Sequence, residues 1–149
     1  MNSLAERYWH GNGVNRDRSK AIALYRKAAD LGNGDAMLQL GYLHESGRDL
    51  PLSQEQAVAW FRKAVDSGKE SAMFHLGVLY WSGRGVSQDF VEAYQWLDLA
   101  SARASGARVS ENAAARDALG RVMSALQIAA ARKRAGEWQT AYDLRKKKA

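Results

Sequence analysis

The chain has 149 residues, of which 46% are hydrophobic and 26% charged, and its net charge is +6; this composition is typical of one globular domain. It contains no cysteine, which excludes disulfides, thiolate metal sites and a cysteine nucleophile. No apolar run approaches the roughly 20 residues of a membrane span and the N-terminus lacks a signal-peptide pattern, so the sequence as given predicts a cytoplasmic protein, or a periplasmic or secreted one if a signal peptide was removed.

A period of 36 residues organises the first two thirds of the chain. Small and apolar residues recur at this spacing without insertion, most clearly in the series Leu4, Leu40, Leu76; Gly11, Gly47, Gly83; Ala21, Ala57, Ala93; and Ala28, Ala64, Ala100. Abundant alanine and a single proline favour helices, and each copy has the pattern of two helices joined by a glycine turn. The sequence therefore predicts an all-α protein with three helical hairpins, at about 1–34, 35–70 and 71–108.

The second helix of each copy carries a clear apolar stripe and a cap. In the middle copy the stripe consists of Ala57, Trp60, Phe61, Ala64 and Val65. Asp17, Ser53 and Asp89 stand 36 residues apart just before the second helices, and we expect them to be N-caps. Gly41 is expected to lie against Ala64, because small residues let two helices approach closely.

The turn inside each hairpin is rich in glycine. Gly13 and Gly85 are predicted to need a positive φ. The middle copy has Asp49 at the equivalent position, and Asp tolerates the left-handed region better than most residues. The turns "GNGV" and "GRGV" lack the lysine and the preceding strand of a phosphate loop, so the repeat itself explains their glycines.

Beyond the third copy the period stops, and residues 109–149 are predicted to form two capping helices with a basic tail, Ser124 being a candidate N-cap. Residues 132–148 hold seven Lys or Arg against two acidic residues, a net charge of +5. Such a run is typical of a solvated helix end, where cations suit the negative pole of the helix dipole. Attraction to nucleic acid or an anionic membrane is the less favoured alternative, because only Trp138 and Tyr142 interleave with the basic residues and no recognition motif is present.

The pattern Ala-x3-Leu-Gly-x2-Tyr-x2-Gly-x-Gly-Val resembles the Sel1-like repeat, a relative of the tetratricopeptide repeat, over residues 1 to about 107. The middle copy departs from it, with His44 in the tyrosine position and Asp49 in place of the second glycine. The resemblance implies a right-handed α-α superhelix (solenoid) of three hairpins closed by the two C-terminal helices. It also implies a bacterial, non-enzymatic protein-protein interaction module or adaptor. An inhibitor or immunity-type protein that sequesters a partner enzyme is an alternative within this class.

The arc of the first helix opposite its buried stripe is the candidate partner-binding surface. In this fold class that arc usually lines the concave face, and here it is more apolar than a solvated face should be. A protein or peptide partner is predicted to contact Trp81, Phe74, Val78, His75, Tyr42, Leu38, Glu45 and Trp9. The two tryptophans follow the structural tyrosines Tyr8 and Tyr80, whereas the middle copy has Glu45, so packing does not demand tryptophan there. The alternative is that neighbouring repeats bury part of this arc.

The sequence predicts no catalytic, metal or cofactor site. The three histidines have no i, i+4 pair and no Ser/His/Asp arrangement around them. His44 is predicted to be a hydrogen-bonded structural residue, and His10 to lie in a turn. Self-association through the apolar end of the first repeat, giving a homodimer, is a further alternative.

Overall fold

The structure is a computed structural model that describes residues 2–148. Within this range the chain is helical and has no strand; the helices are α1 (Asn2–His10), α2 (Arg18–Asp30), α3 (Gly34–Ser46), α4 (Gln54–Asp66), α5 (Glu70–Ser82), α6 (Phe90–Arg103), α7 (Arg108–Gly120) and α8 (Ala125–Lys148). The pairs α1–α2, α3–α4 and α5–α6 pack as hairpins, and α7 and α8 pack on α6. The prediction of an all-α fold with three hairpins and two C-terminal helices is confirmed.

The chain divides into two compact units that meet in sequence at Lys69 and Glu70. The first unit contains α1 to α4 and the second contains α5 to α8. Among the described residues, no helix combines the length and the apolar character needed to cross a lipid bilayer.

Local side-chain caps fix where the helices begin. Asp17, Ser53 and Asp89 have extended backbones, and their side-chain oxygens accept hydrogen bonds from the main-chain N–H three residues later, at 2.9, 3.2 and 3.0 Å. Ser124 forms a reciprocal capping box with Gln127: the Gln127 N–H donates to Ser124 Oγ at 3.1 Å, and the Ser124 N–H donates to Gln127 Oε1 at 2.9 Å. These four cap predictions are confirmed.

The turn of the middle repeat differs from the turns of its neighbours. Gly13 and Gly85 both have φ of +73°, as the sequence predicts. No described residue other than glycine has a positive φ, so the expectation that Asp49 tolerates the left-handed conformation is wrong. Asp49 instead uses its carboxylate, which accepts from Arg18 Nη1 at 2.9 and 3.0 Å. This ion pair joins the first turn of α2 to the turn of the following repeat.

Breaking this ion pair is expected to cost about 0.5–1 kcal/mol of unfolding free energy, a modest value because the Arg18 side chain is 41% exposed whereas Asp49 is 17% exposed. A double-mutant cycle with Arg18→Gln and Asp49→Asn, measured by urea denaturation, isolates the coupling. The coupling should shrink in high salt because partly exposed charges are screened. A coupling energy of zero at low salt would show that the pair does not stabilise the unit.

The first unit is built around small and aromatic residues. Ala21, Ile22, Tyr25, Ala28 and Ala29 of α2 form one core cluster with residues of α1 and α3. The α4 stripe is buried except at Trp60, which is half-buried. Gly41 faces Phe61, since a Cβ on Gly41 would lie only 2.5 Å from Phe61 Cε1. The large ring of Phe61 fills the space that the missing side chain leaves.

The second unit combines an apolar core with one buried polar contact. Leu76, Leu97 and Leu119 are fully buried, and α8 contributes mainly the small residues Ala131 and Ala135. Asn112 of α7 is 2% exposed and donates both to the carboxylate of Glu70 and to the main-chain oxygen of Ala100, the latter at 3.2 Å. Because each of these buried groups has a partner, α7 is fixed in register against α5 and α6.

Candidate functional site

Helix α5 is apolar on both of its faces. Its inward face consists of the buried residues Ala72, Met73, Leu76, Gly77, Leu79 and Tyr80. On the opposite arc, Phe74, Val78 and Trp81 follow one another at i, i+4 and i+7, with His75 beside them, and all four side chains are half-buried. We call these four residues the α5 strip. A helix that is apolar all round is usually buried all round, so the partial exposure of the strip marks it as unusual.

Local contacts hold the α5 strip in place. The rings of Phe74 and His75 meet edge to face, with centroids 5.9 Å apart. At the end of the helix, Gln88 Nε2 donates to the main-chain oxygen of Trp81 at 2.8 Å, and Arg84 Nε donates to Ser82 Oγ at 3.1 Å. The strip therefore lies on a regular helix whose C-terminus is tied to the turn that follows.

The first unit contains the other four predicted contact residues, and all four are half-buried. Leu38, Tyr42 and Glu45 have the same i, i+4, i+7 spacing along α3, and Trp9 lies near the end of α1. The Tyr42 ring meets the fully buried Phe61 ring edge-on at 5.6 Å. Tyr42 therefore contributes to packing while part of its ring stays exposed.

Trp9 also packs within its unit. Its ring lies 6.4 Å from that of Tyr25, and the guanidinium of Arg18 lies over the Trp9 ring, 5.0 Å from the indole centroid. Burial raises the pKa of the Tyr25 phenol above its usual value, and the charge of Glu6 adds to the effect. Tyr25 is therefore a neutral core residue on which Trp9 rests, and the packing role of Trp9 could not be inferred from the repeat alignment.

The part of the chain that the structure describes contains no cluster of three His, Cys, Asp or Glu able to hold a metal ion. His44 Nδ1 lies 3.2 Å from the main-chain oxygen of Pro51, which confirms its structural role. His10 is the last residue of α1 rather than part of the turn, so that detail of the prediction is wrong. His75 belongs to the α5 strip.

The basic tail is the C-terminal part of α8, and Arg132 and Arg134 at its start contact side chains of α6. Arg132 Nη2 donates to the Tyr94 hydroxyl at 3.3 Å, and Arg134 lies 3.6 Å from the Glu92 carboxylate. The Trp138 and Tyr142 rings that interleave with the basic residues stack on each other with centroids 5.1 Å apart. Their i, i+4 spacing on one helix is the feature of the sequence that indicates this contact.

Comparison with known proteins identifies the repeat. The Sel1 repeat family model matches residues 1–33, 34–69 and 70–105. A Sel1 repeat protein from Oxalobacter formigenes is 31% identical, with a TM-score of 0.67 over 70% of this chain and 43% of that one. A protective antigen of uropathogenic Escherichia coli strains, which displays an SLR fold, is 26% identical, with a TM-score of 0.72 over 95% of this chain and 37% of that one.

A shorter match is found to the ERAD-associated E3 ubiquitin-protein ligase component HRD3A of Arabidopsis thaliana, which is 40% identical over 48 residues. This match covers 32% of the chain and 7% of the plant protein. The chain thus corresponds to a small part of that relative and to less than half of each of the two solved structures. Because the family model matches three consecutive segments that together make up most of the sequence, the chain belongs to the Sel1 repeat family, whose members are generally protein-interaction modules.

Proposed function

We propose that this chain is a non-enzymatic interaction module or adaptor that binds a protein or peptide partner through the α5 strip. The observation that carries the proposal is the partly exposed apolar arc of α5: Phe74, Val78 and Trp81 are half-buried on a helix whose other face is already used by the core. Contiguous apolar surface rimmed by polar groups is typical of an interaction site.

The chemistry of the strip suits an apolar anchor from a partner. Aromatic side chains bury a large area at low cost in conformational entropy, and truncating such residues at the centre of an interface typically costs 2 kcal/mol or more. His75 and the exposed Arg84 at the margin offer polar contacts that would select among partners. We expect affinity to come from Phe74 and Trp81, and selectivity from the polar margin.

The α3 arc and Trp9 of the first unit are proposed as a second, weaker contact surface. Leu38 and Glu45 lie on the same arc of α3 as Tyr42. The Trp9 and Tyr42 rings are already engaged with Tyr25 and Phe61, so their truncation would remove packing as well as partner contacts. A sequestering role toward a partner enzyme would use the same surfaces and differ only in the identity and affinity of the partner.

The test combines photo-crosslinking with a binding measurement. A benzoylphenylalanine placed at residue 74 or 81, irradiated in lysate of the source organism, should crosslink a discrete protein that the same probe at residue 126 does not. Binding of that purified protein is then titrated against wild type and a Phe74→Ala/Trp81→Ala variant. We expect a loss of at least roughly 30-fold, the equivalent of one interface hot spot.

The matched control is Val122→Ala/Leu126→Ala, which removes two apolar side chains that are 64% and 84% exposed in the same unit. Its affinity for the partner should stay within about twofold of wild type, and thermal melting checks that both variants remain folded. Equal binding by wild type and by the Phe74/Trp81 variant would refute the α5 strip as the binding surface.

A further inference from the structure

The last part of α8 is held by aromatic rings instead of by the core. Of its 24 described residues, only Ala131 and Ala135 are buried. Beyond them, Trp138 packs edge-on against Trp96 of α6 at 5.7 Å, and Trp96 is itself 5% exposed. The Tyr142 ring then stacks on Trp138, with an interplanar angle of 15°. The rings thus continue the attachment of α8 for two turns past its last buried residue.

Arg103 of α6 completes this attachment. Its guanidinium lies 5.4 Å from the Trp138 ring centroid and 4.6 Å from that of Tyr142, and Nη2 donates to Gln139 Oε1 at 2.9 Å. Gln139 Nε2 in turn donates to Asp143 at 2.9 Å. Because contacts reach as far as Asp143, the final turn of α8 continues from a fixed helix.

That final turn consists almost entirely of cations. Arg145, Lys146, Lys147 and Lys148 are consecutive and exposed, and Lys146 lies 5.5 Å from the Tyr142 ring centroid. One or two cations would complement the helix dipole, so four in a row exceed what the helix end needs.

We propose that the last turn of α8 binds the phosphate backbone of nucleic acid without reading its base sequence. Successive helical residues point about 100° apart, so the four charges are spread around the end of the helix and can contact phosphates that approach from several directions, on a single strand or on a duplex. A helix that inserts into a bilayer surface buries an apolar face, and Leu144 is the only large aliphatic residue between 140 and 148, so an anionic membrane could hold this turn only by charge. The end of α8 is strongly cationic and has no apolar face, which favours nucleic acid over a membrane surface. This proposed activity is independent of the α5 strip.

The test measures fluorescence anisotropy of labelled mixed-sequence DNA of about 20 nucleotides, as single strand and as duplex, between about 50 and 200 mM salt. Neutralising up to four duplex phosphates predicts a slope of log K against log salt of about −3 to −4, which is roughly a 100-fold loss of affinity over this range. Vesicles containing about 30% phosphatidylserine are assayed in parallel by co-sedimentation.

Two charge-matched variants decide whether the site is local. Replacing Arg145, Lys146, Lys147 and Lys148 by Gln should reduce duplex affinity at low salt at least roughly 30-fold and flatten the salt slope. The control replaces four exposed cations of the first unit, Arg16, Arg26, Lys27 and Arg48, by Gln, and removes the same charge. The control should remain within about threefold of wild type.

Three results would overturn the proposal. Equal losses in both variants would mean that the overall net charge, and not the α8 end, attracts the DNA. Binding to the vesicles with none to the oligonucleotides would replace nucleic acid by an anionic membrane. Absence of binding by wild type at about 50 mM salt and 100 µM protein would show that the basic turn is only a solubilising helix end.

Discussion

The Leu97→Ala variant is expected to lose about 2–5 kcal/mol of unfolding free energy, because truncation of a buried leucine removes its transfer free energy and leaves a cavity. Leu97 of α6 is fully buried and lies directly against Gly77 of α5, where an added Cβ would be 2.8 Å from Leu97 Cγ. The close approach of the two backbones leaves little freedom for the site to collapse. Chemical denaturation followed by circular dichroism measures the loss.

Leu126→Ala is the matched control, since it is the same substitution in the same unit at a side chain that is 84% exposed. Its unfolding free energy should stay within about 0.5 kcal/mol of wild type. Comparable losses in the two variants would contradict the packing described for α6. Because Leu97 supports the inward face of α5, its truncation should also weaken partner binding at the α5 strip, whereas Leu126→Ala should not.

The Gly41→Ala variant is expected to be destabilised by about 1–3 kcal/mol, although alanine is the better helix former by about 1 kcal/mol. The new Cβ would approach three ring carbons of Phe61 at 2.5, 2.7 and 2.9 Å. Phe61 is fully buried, so its ring cannot swing into solvent and α3 must move away from α4. The clash should therefore outweigh the gain in helix propensity.

Gly136→Ala is the same substitution, but its expected effect on the unfolding free energy has the opposite sign. Gly136 lies within α8 and is exposed, and apart from its chain neighbours and the adjacent backbone of α8 nothing lies within 4 Å of where its Cβ would be. Only the helix-propensity term remains, so the variant should be stabilised by about 0.5–1 kcal/mol. The midpoints of urea denaturation measure the change in stability of both variants. A stabilised Gly41→Ala protein would contradict the α3–α4 contact.

The helical hairpins and their caps follow from local sequence patterns. The 36-residue period, the Asp17, Ser53 and Asp89 caps and the Ser124 capping box all depend on residues a few positions apart. Such contacts recur wherever the local pattern recurs, since a cap needs only a side-chain oxygen and the free N–H groups of the next turn. The same pattern sufficed to identify the family and to select the candidate arc of the first helices.

Long-range packing determines which residues of that arc also serve in the core and what each small residue faces. Gly41 meets the ring of Phe61, Trp9 rests on Tyr25, and the partners Arg18 and Asp49 are 31 residues apart. The attachment of α8 likewise depends on Arg103 and Gln139, which are 36 residues apart. Contacts at such separations depend on how whole helices approach one another, and helical periodicity fixes the face on which a residue lies but not its neighbour across the interface.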